Sequence, residues 1–360
     1  MNKDFTQPLL SWYRAHKRTW PWRDNPDPYA IWVSEIMAQQ TRLETVLPYF
    51  ERWMAELPDV TTLAQTDQQV VLNLWEGLGY YSRARNLHKA ARIVVKQHAG
   101  ALPADLDALK ALPGIGAYTA GAIASLAFGM DAAVVDGNIK RVLARVFNID
   151  TPIDTTTGTK VIWGLAEAYL PPGEAGDYNQ GLMDLGATVC MPRTPNCPAC
   201  PVQKACEAYK LGLQARLPVR TPKAETPHYT VAAAVIRRDD RFLLAQRPPD
   251  GLLGGLWEFA GGKQEAGESL HAALRREIKE ELACLINVGR EIGVFQHAYS
   301  HFKVTLHAFD CTLKKGEPQA VEAQALIWAK LDELDNYPMG KLDRSIAQAL
   351  QQEADQPRLI

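Results

Sequence analysis

In the first part of the chain, apolar side chains return at mostly three- to five-residue intervals: Ile31, Ile36 and Met37, then Val46, Leu47 and Phe50. This is the spacing of helices that bury one face. A different rhythm takes over in YTVAAAVIRR, RFLLAQR and FKVTLHAFDCTL, short runs rich in β-branched and aromatic residues that read as strands. Between the two regions lies LPVRTPKAETPHY, whose prolines at 218, 222 and 227 block helix and favour extended chain. The pattern predicts an all-α domain over residues 1–214, a linker over 215–228 and an α/β domain over 229–350. No internal repeat of fixed period and no low-complexity tract interrupts it.

The composition, 47% hydrophobic and 22% charged over 360 residues, is that of ordinary globular protein, and the length suits two domains. No apolar run approaches the roughly 20 residues that span a bilayer, so no membrane partner is expected. The formal charge of −2 gives no global sign of a nucleic-acid partner, and any such contact must come from local clustering. One cluster exists: Arg85, Lys89, Arg92 and Lys96 recur at helical spacing opposite Leu87, Ala91, Val94 and Val95. A solvated face has the same look as a phosphate-binding stripe.

Four of the six cysteines, Cys190, Cys197, Cys200 and Cys206, crowd into C-x6-C-x2-C-x5-C. The start, MNKDFTQPLL, has no basic region followed by an apolar core, so a reducing, cytoplasmic setting is expected, which disfavours disulfides. Ligation remains, and spacing alone does not separate tetrahedral zinc from an iron-sulfur cluster. Cys284 and Cys311, being isolated, read as inert buried thiols.

DLDALKALPGIGAYTAGAIASLAF reads as helix, tight turn, helix, with Pro113, Gly114 and Gly116 supplying the turn. Glycines there admit a close anion, and the second helix begins with its positive end at the same point. An ordinary αα-corner carries this signature as well.

Taken together, these segments resemble a known family. The proline-punctuated loop MPRTPNCPACPVQ after YNQGLMDLGATV is similar to the 4Fe-4S loop of the endonuclease III branch of the helix-hairpin-helix DNA glycosylases. LPGIGAYTAG followed by VVDGNIKRVLAR looks like that superfamily's hairpin and catalytic aspartate, and WPWRDNPDPYAIWVSEIMAQQTRLETV resembles adenine DNA glycosylases of the MutY type. The resemblance implies a 4Fe-4S cluster on the four cysteines, Glu35 as the acid that protonates adenine at N7, and Asp136 as the carboxylate that stabilises the sugar cation. Breaking an N-glycosidic bond independently calls for such a pair. Relatives that also cut the backbone use a lysine where this chain has Tyr118, and a phenol forms no Schiff base. The enzyme is therefore expected to be monofunctional, with Tyr118 assisting Asp136.

The resemblance also implies that Gln40 and Tyr80, with Leu78 beside the latter, wedge the base stack while adenine is flipped out. It further implies that Arg23 and Gln180 contact the flipped base, and that Gly114, Gly116 and Lys140 meet DNA phosphates. Trp20 stands where the family has leucine in LPWR, an apolar exchange expected to alter packing only.

The second region resembles a Nudix domain. GGKQEAGESLHAALRREIKEELAC sets Gly262, Glu268, Arg276, Glu277, Glu280 and Glu281 at the spacing of the Nudix box, with Ala283 for its final glycine and Ala260 for the proline before the glycine pair. Glu277, Glu280 and Glu281 share one helical face, an oxygen-rich set that suits Mg²⁺, or a solvated acidic helix balanced by Arg275, Arg276 and Lys279. In MutY-type enzymes this domain reads 8-oxoguanine opposite adenine through Phe-Ser-His, and this chain offers Tyr299, Ser300 and His301. The resemblance implies a monomeric, nucleoid-associated bacterial repair enzyme acting on double-stranded DNA with adenine opposite 8-oxoguanine or guanine. The alternatives are an endonuclease III-like lyase for oxidised pyrimidines and an added Nudix hydrolase activity on oxidised nucleotides.

Overall fold

The computed structural model describes residues 4–24, 27–222 and 225–355. By contacts the chain divides into two units, Met1–Gln65 with Lys89–Lys223, and Thr66–His88 with Ala224–Ile360. Residues 66–88 thus fall with the second unit, a return of the chain that no single cut at 215–228 expresses.

The first unit is helical. Helix Thr6–His16 buries Leu9, Leu10 and Tyr13, and Leu9 and Leu10 join Val142, Leu143, Tyr178, Leu182 and Leu185 in one core. The predicted hairpin is present as helices Leu106–Ala111 and Ala117–Ala127. Gly114 between them has φ +78°, a backbone state that only glycine adopts without strain. Segment 215–222 is tied down rather than free: Leu217 is buried, Ile153 N donates to Val219 O at 3.1 Å, and Thr221 bonds Asp154.

The second unit carries a mixed sheet built from β1 (His228–Arg238), β2 (Arg241–Gln246), β3 (Trp257–Glu258), β4 (Gly261–Lys263), β5 (Leu285–Ala298), β6 (Lys303–Lys315) and β7 (Ala325–Lys330). The path is β3-β2-β1-β6-β5, with β4 also on β1 and β7 on β2. Among the pairings between these seven strands only β1 and β6 run parallel, from His228 opposite Lys303 to Arg237 opposite Thr312. Alternation along β1 fills both faces, as a two-residue period requires. Ala232, Ala234 and Ile236 meet Leu274, Ile278 and Leu282 of helix Leu270–Leu282, while Ala233 and Val235 meet Ile346, Ala347 and Leu350 of helix Lys341–Asp355. The expected order, an all-α part followed by an α/β part, is observed.

Segment 66–88 is stitched into this second unit by polar contacts. Glu76 accepts from Met339 N at 2.9 Å and from both Nε and Nη2 of Arg344 at 2.5 and 3.0 Å. Tyr81 donates to Met339 O at 2.9 Å, and Trp257 Nε1 donates to Gln69 at 3.0 Å. Arg85 of the basic stripe is spent on the carbonyls of Gly254 and Gly251, so that guanidinium is structural here rather than a free phosphate contact.

Candidate active site

Three helices of the first unit bring the catalytic candidates to one cavity. Helix Pro28–Ala38 begins on Asp27, whose carboxylate caps Tyr29 N and Ala30 N, and is buried from Tyr29 through Met37, Glu35 included. Helix Ala117–Ala127 presents Tyr118. Asp136 is the N-cap of helix Gly137–Val146, its Oδ1 accepting from Ile139 N at 2.7 Å. Glu35, Tyr118, Asp136, Arg23, Gln40 and Gln180 line a common cavity of about 560 Å³, room for a purine-sized ligand.

Electrostatics separates the two carboxyls. Burial pushes Glu35 above the usual carboxylate range, the Tyr118 hydroxyl pulls it back, and the Asp136 charge raises it further. Asp136 is also raised by burial, but the amides of Ile139 and Asn138 and the Asn138 side chain, 2.8 Å from Oδ2, oppose this. Both carboxyls are thus raised by burial, but Asp136 alone has backbone amides and an amide side chain that favour its anion, a difference of the kind that separates an acid from a stabiliser. Tyr118 donates to Glu35 Oε2 at 2.6 Å, and burial holds the phenol well above its ordinary pKa, so it remains a neutral donor.

Around this centre the other expected residues fall differently. Gln180 Oε1 is buried at the cavity wall with no hydrogen-bond partner among the described residues. Arg23 forks onto Asp184, at 2.7 and 3.0 Å, and Arg18 reaches the same carboxylate at 2.6 Å. The Arg23 guanidinium is therefore anchored by Asp184. Lys140 does not stand free as a phosphate ligand: its Nζ gives hydrogen bonds to Ile153 O at 3.2 Å and Thr159 Oγ1 at 2.9 Å. Gly116, by contrast, has an ordinary φ of −88° and open space where a Cβ would stand. Neither backbone strain nor internal packing calls for glycine there.

Gln40 and Tyr80 share an unusual backbone, with φ +60° and +48°, positions where non-glycine residues are rare and strained. Both are exposed, whereas Leu78 is buried and packs rather than wedges. Arg83 holds the Tyr80 loop through the carbonyls of Leu78 and Gly79 at 2.9 and 3.1 Å, and the Tyr80 hydroxyl hydrogen-bonds Ser300. In the reading loop, Ser300 and His301 are exposed. Tyr299 turns inward, stacked on Phe302 with centroids 4.7 Å apart and packed on the sheet core, and so anchors the loop.

Cys190, Cys197, Cys200 and Cys206 line a second cavity, with Arg145, Gln203 and Gln214 in its wall. Burial raises Cys197, Cys206 and Cys200, the last to about 12, and the neighbouring cysteines add to each shift. Four half-buried thiols that repel one another as anions, with Arg145 Nη1 3.3 Å from Cys190 Sγ, form a donor set that a cationic iron centre satisfies. Among the described residues no three His, Cys, Asp or Glu side chains converge on a single-ion site.

At the box helix an arginine already lies among the carboxylates. Arg276 pairs with Glu268 at 2.7 Å, Glu277 at 2.9 Å and Glu280 at 3.3 Å. Burial and the neighbouring carboxylates of Glu258, Glu277 and Glu322 push Glu281 up to about 8.

Sequence reasoning missed Asp184, Asn138 and Arg141. Arg141 gives hydrogen bonds to Asn138 Oδ1 at 2.9 Å, Gly186 O at 2.7 Å and Cys190 O at 2.8 Å, and so orients the amide that serves Asp136. A signal for Asp184 did exist: it stands in the apolar run GLMDLG of helix Ala175–Thr188, where Gly181, Leu182, Leu185 and Gly186 are buried with it, and a lone buried carboxylate requires a cationic partner.

A helical hairpin, a buried acid and a capped aspartate on one cavity define a base-excision DNA glycosylase. Residues 33–164 match the HhH-GPD superfamily of base excision DNA repair proteins, and residues 231–349 match the NUDIX domain. The chain belongs to the adenine DNA glycosylase family. It is 37% identical to the adenine DNA glycosylase of Mus musculus over 92% of this chain and 75% of that protein. With the Homo sapiens enzyme the figures are 35%, 91% and 70%. A solved thermostable thymine-DNA glycosylase aligns with TM-score 0.54 at 33% identity, covering 58% of this chain and 96% of its own. An endonuclease III–DNA complex shares the fold, with TM-score 0.51 at 21% identity over 59% and 99%. No helix among the described residues is long and apolar enough to cross a membrane.

Proposed function

We propose that this enzyme excises adenine from duplex DNA where it stands opposite 8-oxoguanine or guanine, acting as a monomeric, monofunctional glycosylase in the reducing bacterial cytoplasm. The observation that carries the reading is the pairing of a buried Glu35, its carboxyl raised by burial, with a hydrogen-bonded Asp136 on one purine-sized cavity. Glu35 delivers its proton to N7 of the flipped adenine, the glycosidic bond lengthens, and Asp136 stabilises the cationic sugar until water adds. The unpartnered Gln180 oxygen suits the exocyclic amino group of adenine, which is a donor. The open space over Gly116 suits close approach of a phosphate.

Discrimination of the opposite base falls to the second unit. Ser300, exposed and bonded to the Tyr80 hydroxyl, meets the N7–H edge that distinguishes 8-oxoguanine from guanine. The four cysteines hold a 4Fe-4S cluster, which when bound supplies a fixed cross-link that orders their loop. The proposal is tested by measuring adenine release from duplexes with A opposite 8-oxoguanine, G and T. Release from the first two only is expected, and Ser300→Ala should shrink the preference for 8-oxoguanine over G. Equal release from A·T would overturn the reading.

A further inference from the structure

Gln214 lies in the turn that follows the short helix Glu207–Lys210, and it lines the same cavity as Cys190, Cys197, Cys200 and Cys206. Its Oε1 is buried without a hydrogen-bond partner among the described residues, a state that native proteins avoid unless a ligand completes it. The other polar side chains of that wall whose contacts are defined are engaged. Gln203 Nε2 donates to Cys197 O at 2.9 Å, and Arg145 donates to Leu217 O, Met191 O and Pro192 O at 2.8 to 2.9 Å besides approaching Cys190 Sγ. A carboxamide rotated by half a turn about its last bond exchanges oxygen for two N–H donors with almost no change of shape.

We propose that Gln214 is a cluster-binding residue whose amide N–H donates to a sulfur of the iron-sulfur centre. The inference rests on the reading of the four cysteines as a 4Fe-4S site. A cluster ligated by four thiolates is anionic, and its sulfurs accept hydrogen bonds. A donor held in a cavity of low polarity favours the more negative, reduced state and so raises the reduction potential. No covalent change at Gln214 is involved.

The test uses the full chain, purified without oxygen, as wild type, Gln214→Leu and Gln214→Glu, the second keeping the shape of glutamine without its N–H₂ group. About four irons per chain are expected in all three, since the four thiolates remain. The potential should fall in Gln214→Leu and fall further in Gln214→Glu. The shift of bridging Fe–S vibrations on transfer to D₂O should shrink in both variants. Full iron loading with unchanged potential and vibrations in both variants overturns the assignment. Loss of iron from Gln214→Leu also overturns it, making the residue a scaffold for the loop. Absence of iron from the wild-type protein instead overturns the cluster reading beneath it.

Discussion

The Tyr118 hydroxyl lies 2.6 Å from Glu35 Oε2, in the place where lyase relatives would carry their lysine. A phenol held far above its ordinary pKa orients the acid and offers no nucleophile. Borohydride trapping on abasic duplex should therefore capture little adduct with the native enzyme. Tyr118→Lys should gain measurable strand scission while losing much of its adenine excision. Efficient scission by the native enzyme would return the chain to the endonuclease III-like class.

The pH profile of excision follows from the two carboxyls. The proposed mechanism needs Glu35 protonated and Asp136 ionised, so activity should fall on both sides of an optimum. Asn138→Ala removes a donor that favours the Asp136 anion, which raises that pKa. The acidic limb should therefore move to higher pH while the alkaline limb, set by Glu35, stays nearly in place. Single-turnover rates across pH 4–9 check this, and an unmoved acidic limb would contradict the role given to Asn138.

Ala283, the residue in place of the box's final glycine, sits at φ +50°, ψ +26° as the C-cap of helix Leu270–Leu282. A side chain in this left-handed state costs roughly 1–2 kcal/mol, offset in part by the stiffer unfolded chain. Ala283→Gly should raise stability by about 0.5–1 kcal/mol. Denaturant unfolding of the full chain would show it, and a loss of stability would contradict it.

Glu281 makes stability depend on pH. Its carboxyl is raised from 4.5 to about 8 by burial and by neighbouring carboxylates, so between those values the folded state binds more protons than the unfolded state. That contribution is fully present below the unfolded pKa and is lost as pH rises through the folded one. Melting temperature should decline from pH 5 to pH 8.5, and Glu281→Gln should flatten the decline by more than about 1.4 kcal/mol, the worth of one pKa unit. Identical slopes in both proteins would refute it.

What the chain disclosed in advance was its local chemistry. The hairpin glycines, the cysteine spacing and the alternation of β1 are set by residues close together in sequence, where period and turn residues suffice. The resemblance pairs Glu35 with Asp136 and expects Tyr118 to assist Asp136, whereas the fold hydrogen-bonds Tyr118 to Glu35 across 83 residues, a contact that no local pattern in the sequence carries. The Arg18 and Arg23 forks on Asp184, the Asn138–Arg141 support of Asp136 and the return of segment 66–88 to the second unit depend on packing across distant segments. Tyr299 shows the other limit: an aromatic in a motif reads the same whether it faces a ligand or the core, and here Phe302 claims it.

The central claim is that Glu35, held protonated by burial, supplies the proton that releases adenine. Single-turnover excision of adenine opposite 8-oxoguanine by native enzyme and by Glu35→Gln tests it most directly, with duplex binding measured alongside. Glutamine keeps the shape and a hydrogen bond but has no proton to give. Excision should drop by at least roughly 10²–10⁴-fold, the usual worth of a positioned acid, while duplex affinity stays within a few-fold of native. Excision at the native rate by Glu35→Gln would contradict the account.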